Sequence, residues 1–250
     1  MLKSRRYVFL LSHMRGYTTL VSHILGSHPD ISGYAENRLS YRTQLDLLKL
    51  RCLSYHLGNY KSNCRYFLDK LLHNEFFVAD SILKRENVHV IFMIREPAAT
   101  LKSIVAMYHK RIEEGATPSR LVPGTVEEAL RHYSDRLDKL SSVGEHLQRS
   151  GKHALVIRAD EVIENPGSVL NELGAFLHLR TPLDEQYSVF DRTGTRFFGD
   201  PSEFIRKGRI ERERPIHGIA VPDLVLEQAH RAYERCLLGL RKLFDCSAPS

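Results

Sequence analysis

The sequence predicts an α/β fold, with one domain over residues 1–250 and a central, mainly parallel β-sheet flanked by helices. Short runs that are apolar at almost every position, as in strands buried on both faces, alternate with longer segments of helical apolar spacing. Strands that alternate with helices are typical of a parallel sheet. A chain of 250 residues, 42% of them hydrophobic, is also long enough to bury such a core.

Each element is predicted from its own apolar pattern and its boundary residues. The strands are predicted at residues 7–12, 32–36, 75–80, 88–94 and 152–160. A short helix is predicted from Thr18, as its N-cap, to about Gly26, and the helix after 88–94 is predicted to begin at Pro97. Further helices are predicted at residues 38–53, 64–73, 126–149, 165–179 and 222–243, with loops around a site at 181–215.

A ligand site is predicted at one edge of this sheet, because ligands of such folds bind beyond the carboxyl ends of the strands. The segments expected there are residues 12–19, 34–37, 80–84 and 95–97, together with Asp160. The net charge of +6 and the pI of about 9.1 suit an anionic ligand. The cations are spread along the chain without a basic block and interleaved aromatic residues, so no nucleic-acid partner is expected.

The composition excludes several other classes of protein. No run approaches the length of a membrane span, so no membrane association is expected. The start "MLKSRRYVFLLSH" lacks the length and cleavage pattern of a signal peptide, and a cytoplasmic location is expected. The four cysteines form no C-x-x-C pair and are expected to be free thiols. The thirteen histidines show no metal-ligand spacing, so no metal is expected.

The stretch "YVFLLSHMRGYTTL" places a cation and two hydroxyls between the first strand and the first helix. The amides and dipole of a helix N-terminus favour an anion, and Arg15, Thr18 and Thr19 add donors. Helix capping by Thr18 and a surface position for Arg15 would not explain the whole pattern Arg-Gly-x-Thr-Thr. The stretch therefore predicts a phosphate cradle, in which His13 either shapes the loop or hydrogen-bonds phosphate. A Walker A loop would require Gly-Lys-Ser/Thr, which does not occur near this stretch.

The stretch "VIFMIREPAATLKS" carries a second set of anion ligands. Arg95 ends the clearest predicted strand, and Ser103 lies about two turns into the next helix. The two side chains are predicted to face one another across the strand–helix corner and to bind a second phosphate. Alternatively, Arg95 forms an ion pair with Glu96 or Asp160, and Ser103 lies on the helix surface.

With both stretches in view, the chain resembles the sulfotransferases that use 3′-phosphoadenosine 5′-phosphosulfate (PAPS), which have a P-loop-like α/β fold. "MRGYTTL" is similar to their 5′-phosphosulfate loop, P-[KR]-S-G-T-T, and "REPAATLKS" is similar to their 3′-phosphate signature. "ALVIRADEVIENPGSVLNELGAFLHL" resembles a later strand–acid–helix segment of the family, and "FIRKGRI" resembles its R-K-G element. These four ordered matches run from residue 7 to residue 208.

The resemblance implies a set of residues that bind the co-substrate PAPS, and it implies no metal. That set is Arg15, Gly16, Tyr17, Thr18, Thr19, Arg95, Ser103, Arg206, Lys207 and Gly208. The chain also departs from the family pattern. Gly16-Tyr17 stands in place of Ser-Gly, Arg158-Ala159 in place of Tyr-Glu, and no G-D-W follows R-K-G. "FFVADSILK" takes the place of the K-T-H-L-P segment that carries the family's catalytic His, and it contains no His.

The resemblance further implies in-line transfer of a sulfuryl group to a hydroxyl of a small-molecule or carbohydrate acceptor. Arg15 is expected to stabilise the charge that develops on the leaving 5′-phosphate. The acceptor hydroxyl needs a general base, for which Glu36 is the first candidate and Asp80 the second. Both also have structural interpretations, Glu36 as a helix-start carboxylate and Asp80 as a loop-capping one.

Two other functions stay open on the sequence alone. A P-loop-like kinase would use ATP and take Asp80 as its magnesium ligand, whereas a non-catalytic module would bind sulfated sugar or RNA through the same cations. The acceptor is expected among loops 38–66, 111–125 and 181–204, whose rings either stack on it or fill a core. Those rings are Tyr41, Tyr55, His56, Tyr60, Tyr66, Phe197 and Phe198. The oligomeric state is not predicted.

Overall fold

The structure is a computed structural model that describes residues 5–115, 117, 122–194, 203–213 and 218–244. Its strands are β1 (Arg6–Ser12), β2 (Ile31–Ser32), β3 (Tyr66–Leu71), β4 (Val88–Ile94) and β5 (Leu155–Arg158). They form one sheet in the order β2-β3-β1-β4-β5, in which every neighbouring pair is parallel. The predicted α/β fold with a central parallel sheet is thereby confirmed.

Helices cover both faces of this sheet. The longer ones are α1 (Thr18–Ser27), α2 (Gln44–His56), α4 (Pro97–Glu113), α5 (Val126–Arg149), α7 (Pro166–Phe176) and α9 (Asp223–Phe244). The short ones are α3 (Asp80–Leu83), α6 (Glu161–Glu164) and α8 (Glu203–Arg206). Because side chains alternate along a strand, Val8 and Leu10 of β1 pack with α1 and α7, whereas Phe9 and Leu11 pack with α2, α4, α5 and α9.

The segment predicted as a helix over 64–73 contains β3, so that prediction is wrong. Its apolar residues do fall at helical spacing: Cys64, Phe67, Leu68, Leu71 and Leu72. A strand buried on both faces is apolar at nearly every position, however, and therefore fits helical spacing as well as its own.

The strand predicted at residues 75–80 is also wrong. This segment is a loop in which Val78 forms one isolated bridge, to Tyr41. The sheet edge that it was expected to supply is formed by β3 instead, which ends at Leu71. The bounds of two other elements also differ from the prediction. Strand β2 is shorter than the predicted 32–36, and Tyr17 rather than Thr18 is the N-cap of α1.

A buried arginine of α5 ties the carboxyl ends of two strands together. Arg136 donates from Nε to the carbonyl of Ser12 (2.8 Å) and from NH2 to the carbonyl of Leu71 (2.6 Å). Its NH1 donates to the carbonyl of His73 (3.2 Å), just beyond β3. Because five guanidinium donors lie in a rigid plane, these bonds fix the ends of β1 and β3 relative to α5.

None of the described helices combines the length and apolar character that a membrane span requires. Cys52, Cys64 and Cys236 are free thiols, as predicted, and Cys246 lies outside the described residues.

Candidate functional site

The loop between β1 and α1 alternates in backbone handedness. Arg15 (φ 62°) and Tyr17 (φ 55°) are left-handed, whereas Gly16 between them is not. Alternation of this kind turns successive N–H groups toward one concave side and suits an anion. Gly16 is needed because a Cβ at this position would lie 2.6 Å from Oγ of Ser12. The loop predicted as a cradle thus has a backbone suited to binding phosphate.

Tyr17 connects this loop to Arg95. A left-handed conformation costs a non-glycine residue about 1–2 kcal/mol. Two contacts offset that cost, because the hydroxyl of Tyr17 accepts from NH2 of Arg95 (2.6 Å) and the ring centroid lies 4.0 Å from the guanidinium carbon. The bulky residue that departs from the P-[KR]-S-G-T-T pattern therefore has a structural role in this chain.

Arg95 is held by its main chain as well as by its side chain. Its N–H donates to Nε2 of His13 (3.0 Å), and its carbonyl accepts from the Tyr133 hydroxyl (2.7 Å). NH1 donates to the carbonyl of Arg15 (3.0 Å), and Nε lies 3.4 Å from Oδ1 of Asp160. The ion pair with Asp160 is therefore present, and the same guanidinium also reaches the first loop.

His13 shapes the loop, one of the two roles considered for it. Complete burial lowers its pKa to about 3, so the ring is neutral. Its Nδ1 donates to the carbonyl of Met14 (2.8 Å), which leaves Nε2 to accept from the amide of Arg95.

Arg15 and Ser103 join the two predicted phosphate-binding groups. Nε of Arg15 donates to Oγ of Ser103 at 2.8 Å, and Ser103 is buried two turns into α4. Thr18, the first residue of α1, is also buried, and no hydrogen bond to its hydroxyl occurs within the described residues. Arg15, Arg95 and Ser103 therefore lie next to one another at the carboxyl edge of the sheet, and Thr18 follows directly after the loop that carries Arg15.

The structure adds a buried cation that the sequence reasoning missed. Lys70 of β3 is 1% exposed, and its Nζ donates to Oγ1 of Thr19 (3.2 Å) and to Oγ of Ser22 (3.4 Å). Its charge therefore lies beneath the first turn of α1, where the helix dipole also favours an anion. The signal in the sequence was an Asp-Lys pair inside the apolar run "YFLDKLL".

Asp69 lies on the opposite face of β3 and holds the segment after β2. Its Oδ1 accepts from the main-chain N–H and from Nδ2 of Asn37, both at 3.0 Å, and Oδ2 accepts from the Tyr41 hydroxyl at 2.5 Å. Complete burial raises the pKa of Asp69 to about 7 in spite of these bonds. The carboxyl group thereby fixes the backbone next to Glu36.

Glu36 and His73 meet between the ends of β2 and β3. Oε1 of Glu36 lies 3.6 Å from Nε2 of His73 and has no hydrogen-bond partner among the described residues. Burial lowers the pKa of His73 to about 3, so this contact joins a carboxyl group to a neutral ring. Burial raises the pKa of Glu36, and the nearby cations, Lys70 first among them, oppose that rise. The segment that follows β3 at this edge therefore contains His73. The sequence pattern instead predicts that "FFVADSILK", which contains no His, lies at this place.

Asp80 is not brought to this site. It is the first residue of α3, and its carboxylate lies 3.0 Å from Nε2 of His146. His146 follows Arg136 by ten positions along α5, about 15 Å further from the site edge. Since the strand that would have ended at Asp80 is not formed, the structural basis for this residue as a base or as a magnesium ligand is lost. No three His, Cys, Asp or Glu side chains gather as a possible metal site within the described ranges.

The R-K-G element lies beside another segment of the chain. Nζ of Lys207 is 3.2 Å from a carboxylate oxygen of Glu211, and the carbonyl of Gly208 accepts from the amide of Tyr187. Arg206 ends α8 and is exposed. In the part of the chain that the structure describes, no hydrogen bond or ion pair links these three residues to Arg95 or Ser103.

The rings considered for the acceptor have different environments. Tyr41 is buried on Asp69, and Tyr66 begins β3 at the far end of the sheet, where its hydroxyl donates to the carbonyl of Leu177. Tyr55, His56 and Tyr60 are exposed on or just after α2. Phe197 and Phe198 lie outside the described residues.

Comparison with known proteins supports the fold. No protein-family model matches the chain, and no curated protein matches it. Among solved structures, the sulfotransferase domain from the curacin biosynthetic pathway is similar, with a TM-score of 0.55 and 15% identity over 92% of this chain and 98% of that domain. The sulfotransferase domain from the Synechococcus PCC 7002 olefin synthase gives 0.58 and 15% over 93% and 94%. The chain thus has a sulfotransferase-like fold.

Proposed function

We propose that this protein is a PAPS-dependent sulfotransferase that transfers a sulfuryl group to a hydroxyl of a small-molecule or carbohydrate acceptor. The observation that carries the proposal is the hydrogen bond from Arg15 to Ser103. It joins a cradle at the N-terminus of α1 to a second anion site at the end of β4. A nucleotide with phosphates at its 3′ and 5′ positions matches two such groups.

The donors present fit the 5′-phosphosulfate end of PAPS. The alternating backbone at residues 15–17, the hydroxyls of Thr18 and Thr19, and the buried ammonium of Lys70 converge on the first turn of α1. Such a group gains charge-assisted hydrogen bonds without moving the scaffold, because Gly16 and His13 already fix the loop. In this proposal Arg15 stabilises the leaving phosphate.

The 3′-phosphate is assigned to Arg95 and Ser103. The main chain of Arg95 is fixed at both its N–H and its carbonyl, so the side chain starts from a rigid position. A planar fork of this kind suits a bidentate contact with phosphate. Arg206, Lys207 and Gly208 remain assigned to this end of the nucleotide only by the resemblance of "FIRKGRI" to the family's R-K-G element.

Glu36 is proposed as the general base. A buried carboxylate oxygen without a hydrogen-bond partner is costly unless a donor arrives, and an acceptor hydroxyl is such a donor. The raised pKa of Glu36 also brings it closer to the operating range of a base. His73 is proposed to position this carboxyl group, because its neutral ring is 3.6 Å away.

A thermal-shift measurement tests the nucleotide class. Adenosine 3′,5′-bisphosphate without magnesium should stabilise the fold, by about 2.7 kcal/mol at a hundredfold excess over its dissociation constant. Adenosine 5′-monophosphate serves as the matched control, since it lacks the group assigned to Arg95 and Ser103. Stabilisation by ATP with magnesium but not by the bisphosphate would contradict the proposal. Transfer of labelled sulfuryl from PAPS to a panel of hydroxylated acceptors then separates an enzyme from a binding module.

A further inference from the structure

Helix α2 carries apolar residues on two opposite faces. Leu47, Leu50 and Ser54 face the core and are buried. A second set, here called the outer stripe, is exposed to solvent: Leu45, Leu48, Cys52 and Tyr55. At 3.6 residues per turn these four positions fall within an arc of about 80°. A surface helix ordinarily presents polar residues on that side, so the outer stripe is unusual for a helix with no partner.

A groove lies beside the N-terminal half of the outer stripe. Its volume is about 310 Å³, and Leu45, Leu48, Arg51, Arg85 and Asn87 are among its lining residues. Tyr7, which is buried, also lines it. Arg85 and Asn87 directly precede β4, so the groove lies at the amino edge of the sheet, opposite the site described above. This α2 groove is therefore separate from the nucleotide and acceptor positions.

The α2 groove is positively charged. Arg51 lies over the ring of Phe67 (5.7 Å) and lines the groove together with Tyr7, and Nε of Arg85 donates to Oδ1 of Asn87 (3.3 Å). Within the described residues, neither guanidinium has a carboxylate within ion-pair distance. On the other side of the stripe, the charge of Lys49 is matched by Asp46 at 2.8 Å. The net result is an apolar stripe with unmatched arginines along one border.

We propose that the α2 groove and the outer stripe dock an amphipathic helix of a partner protein, with Asp or Glu residues flanking its apolar face. One apolar side chain would enter the groove while carboxylates pair with Arg51 and Arg85. From Leu45 to Tyr55 the stripe is about 15 Å long, which matches roughly three turns of a docked helix. Each carboxylate would turn an unmatched surface cation into a charge-assisted pair.

Two other occupants fit less well. A second copy that pairs α2 with α2 would bring to the border formed by Arg51 either another Arg51 or an Asp46 whose charge Lys49 already matches. An anionic membrane is flat and would leave the concave groove between Leu48 and Arg85 unfilled. An acidic helix supplies both the shape and the charge. The inference does not depend on sulfuryl transfer, since it concerns the opposite edge of the sheet.

A labelled synthetic peptide tests the proposal with the full chain. The probe is a helix of about 15 residues with leucines on one face and glutamates beside them, and its control has the same composition in an order that spreads the leucines around the helix. Anisotropy at low ionic strength should show binding of the first peptide only. Arg51→Glu should weaken that binding about tenfold or more, as expected for a lost charged pair. Arg231→Glu, which removes an exposed cation of α9, should leave it unchanged.

Leu48→Glu and Leu45→Glu provide a second test that involves no arginine. Both side chains are exposed (47% and 68%), so circular dichroism should show that both variants are folded. Neither variant should bind the first peptide. No binding, equal binding of the two peptides, or equal losses for Arg51→Glu and Arg231→Glu would overturn the proposal. Binding to phosphatidylserine vesicles that Leu48→Glu abolishes would replace it by a membrane contact. A dimer that Leu48→Glu converts to monomer would replace it by self-association.

Discussion

Arg15 and Arg95 are both arginines of one site, yet their surroundings prepare them for different tasks. Arg95 has its N–H, its carbonyl and three of its side-chain nitrogens engaged by the fold. Arg15 lies in a loop with left-handed backbone and reaches Ser103 through Nε. A rigidly held fork is suited to ground-state binding, whereas Arg15 is assigned to charge that appears only as the bond to the leaving group breaks.

Because the two arginines are assigned different tasks, replacing Arg95 by Ala should mainly reduce nucleotide affinity, whereas replacing Arg15 by Ala should mainly reduce turnover. Arg95→Ala should weaken binding of adenosine 3′,5′-bisphosphate by about 1.5–3 kcal/mol, as for a lost hydrogen bond to a charged group. Arg15→Ala should lower kcat far more than it lowers nucleotide affinity. Calorimetric titration with the bisphosphate and steady-state kinetics measure the two effects. Equal losses in affinity and turnover for the two variants would undo the division of roles.

The role proposed for Glu36 predicts how the activity depends on pH. A general base must be ionised, so kcat/KM should fall as the pH drops through the pKa of Glu36, which burial raises above the ordinary value of a glutamate. Glu36→Gln should lower kcat by about 10²–10⁴-fold and remove this acid limb, while binding of the bisphosphate stays unchanged. A pH profile of the residual activity that keeps the same limb would exclude Glu36 as the base. His73→Asn, which leaves the carboxyl group in place, should shift the limb without abolishing it.

At the scale of elements, β3 serves two parts of the site through its two faces. Successive residues of a strand point to opposite sides, so Lys70 lies under α1 while Asp69 faces Tyr41 and Asn37. The register of β3 against β1 fixes the positions of both side chains, because Lys70 pairs with Leu10 of β1. Burying two adjacent charged side chains in one strand costs free energy unless each of them is hydrogen-bonded, and here each of them has hydrogen-bond partners.

Asp69→Ala tests whether this strand positions the base. The change leaves the N–H of Asn37 and the hydroxyl of Tyr41 without their acceptor, at a cost to stability of about 1–3 kcal/mol for each buried group. The segment carrying Glu36 should loosen, so kcat should fall while affinity for the bisphosphate changes little. Tyr41→Phe is the matched variant, since it removes one of these bonds and keeps the ring. A loss of nucleotide affinity as large as the loss of turnover would argue against a positioning role.

The elements also explain which parts of the site could be predicted from the sequence. The loop at residues 13–19 was predicted because its ligands are close in sequence and follow an obvious strand. The roles of Lys70, His73 and Arg136 depend on β3 lying beside β1, a contact between distant segments. The pattern of residues 64–73 predicts a helix where β3 lies, so the third strand is predicted at residues 75–80 and Asp80 is expected at the edge that His73 occupies.

For the whole molecule, buried histidines predict sensitivity to acid. Burial lowers the pKa of His13 and His73 to about 3 and that of His23 to about 4, whereas these groups bind protons near 6.5 when unfolded. Asp69 acts in the opposite direction, because its raised pKa lets the folded state hold a proton that the unfolded state has released. From these four groups the unfolded state binds a net excess of about two protons, so the free energy of unfolding should fall on acidification between about pH 6 and 4.5, by about 2.7 kcal/mol per pH unit. The lowered pKa values of His28, His89 and His132 act in the same direction, and the raised pKa of Glu36 opposes them.

Urea unfolding across that pH range measures this slope. His23→Gln should reduce it by about one proton, or about 1.4 kcal/mol per pH unit. His230→Gln, a change at an exposed position of α9, is the control and should leave the slope unchanged. Stability that rises on acidification in this window would show that the histidines are not held neutral by burial.

The fold as a whole was predictable because it depends on the alternation of strands and helices along the chain, a coarse pattern that many sequences share. Solved sulfotransferase domains of only 15% identity have the same arrangement over more than nine-tenths of this chain. Glu36 was predicted as a candidate base from its position after the second strand, but its surroundings were not predictable to the same degree, since Asp69 with Tyr41 and His73 reach this segment through contacts across the sheet. Tyr66 was grouped with them by its position in the sequence, yet it lies at the opposite end of β3.

A crystal structure with adenosine 3′,5′-bisphosphate tests most directly the claim that both clusters of donors bind one molecule. The 5′-phosphate should lie within hydrogen-bond distance of Thr18, Thr19 and the amides of residues 16–18, and the 3′-phosphate should contact Arg95 and Ser103. A nucleotide bound elsewhere, or one with a single phosphate in the site and the other in solvent, would contradict the account.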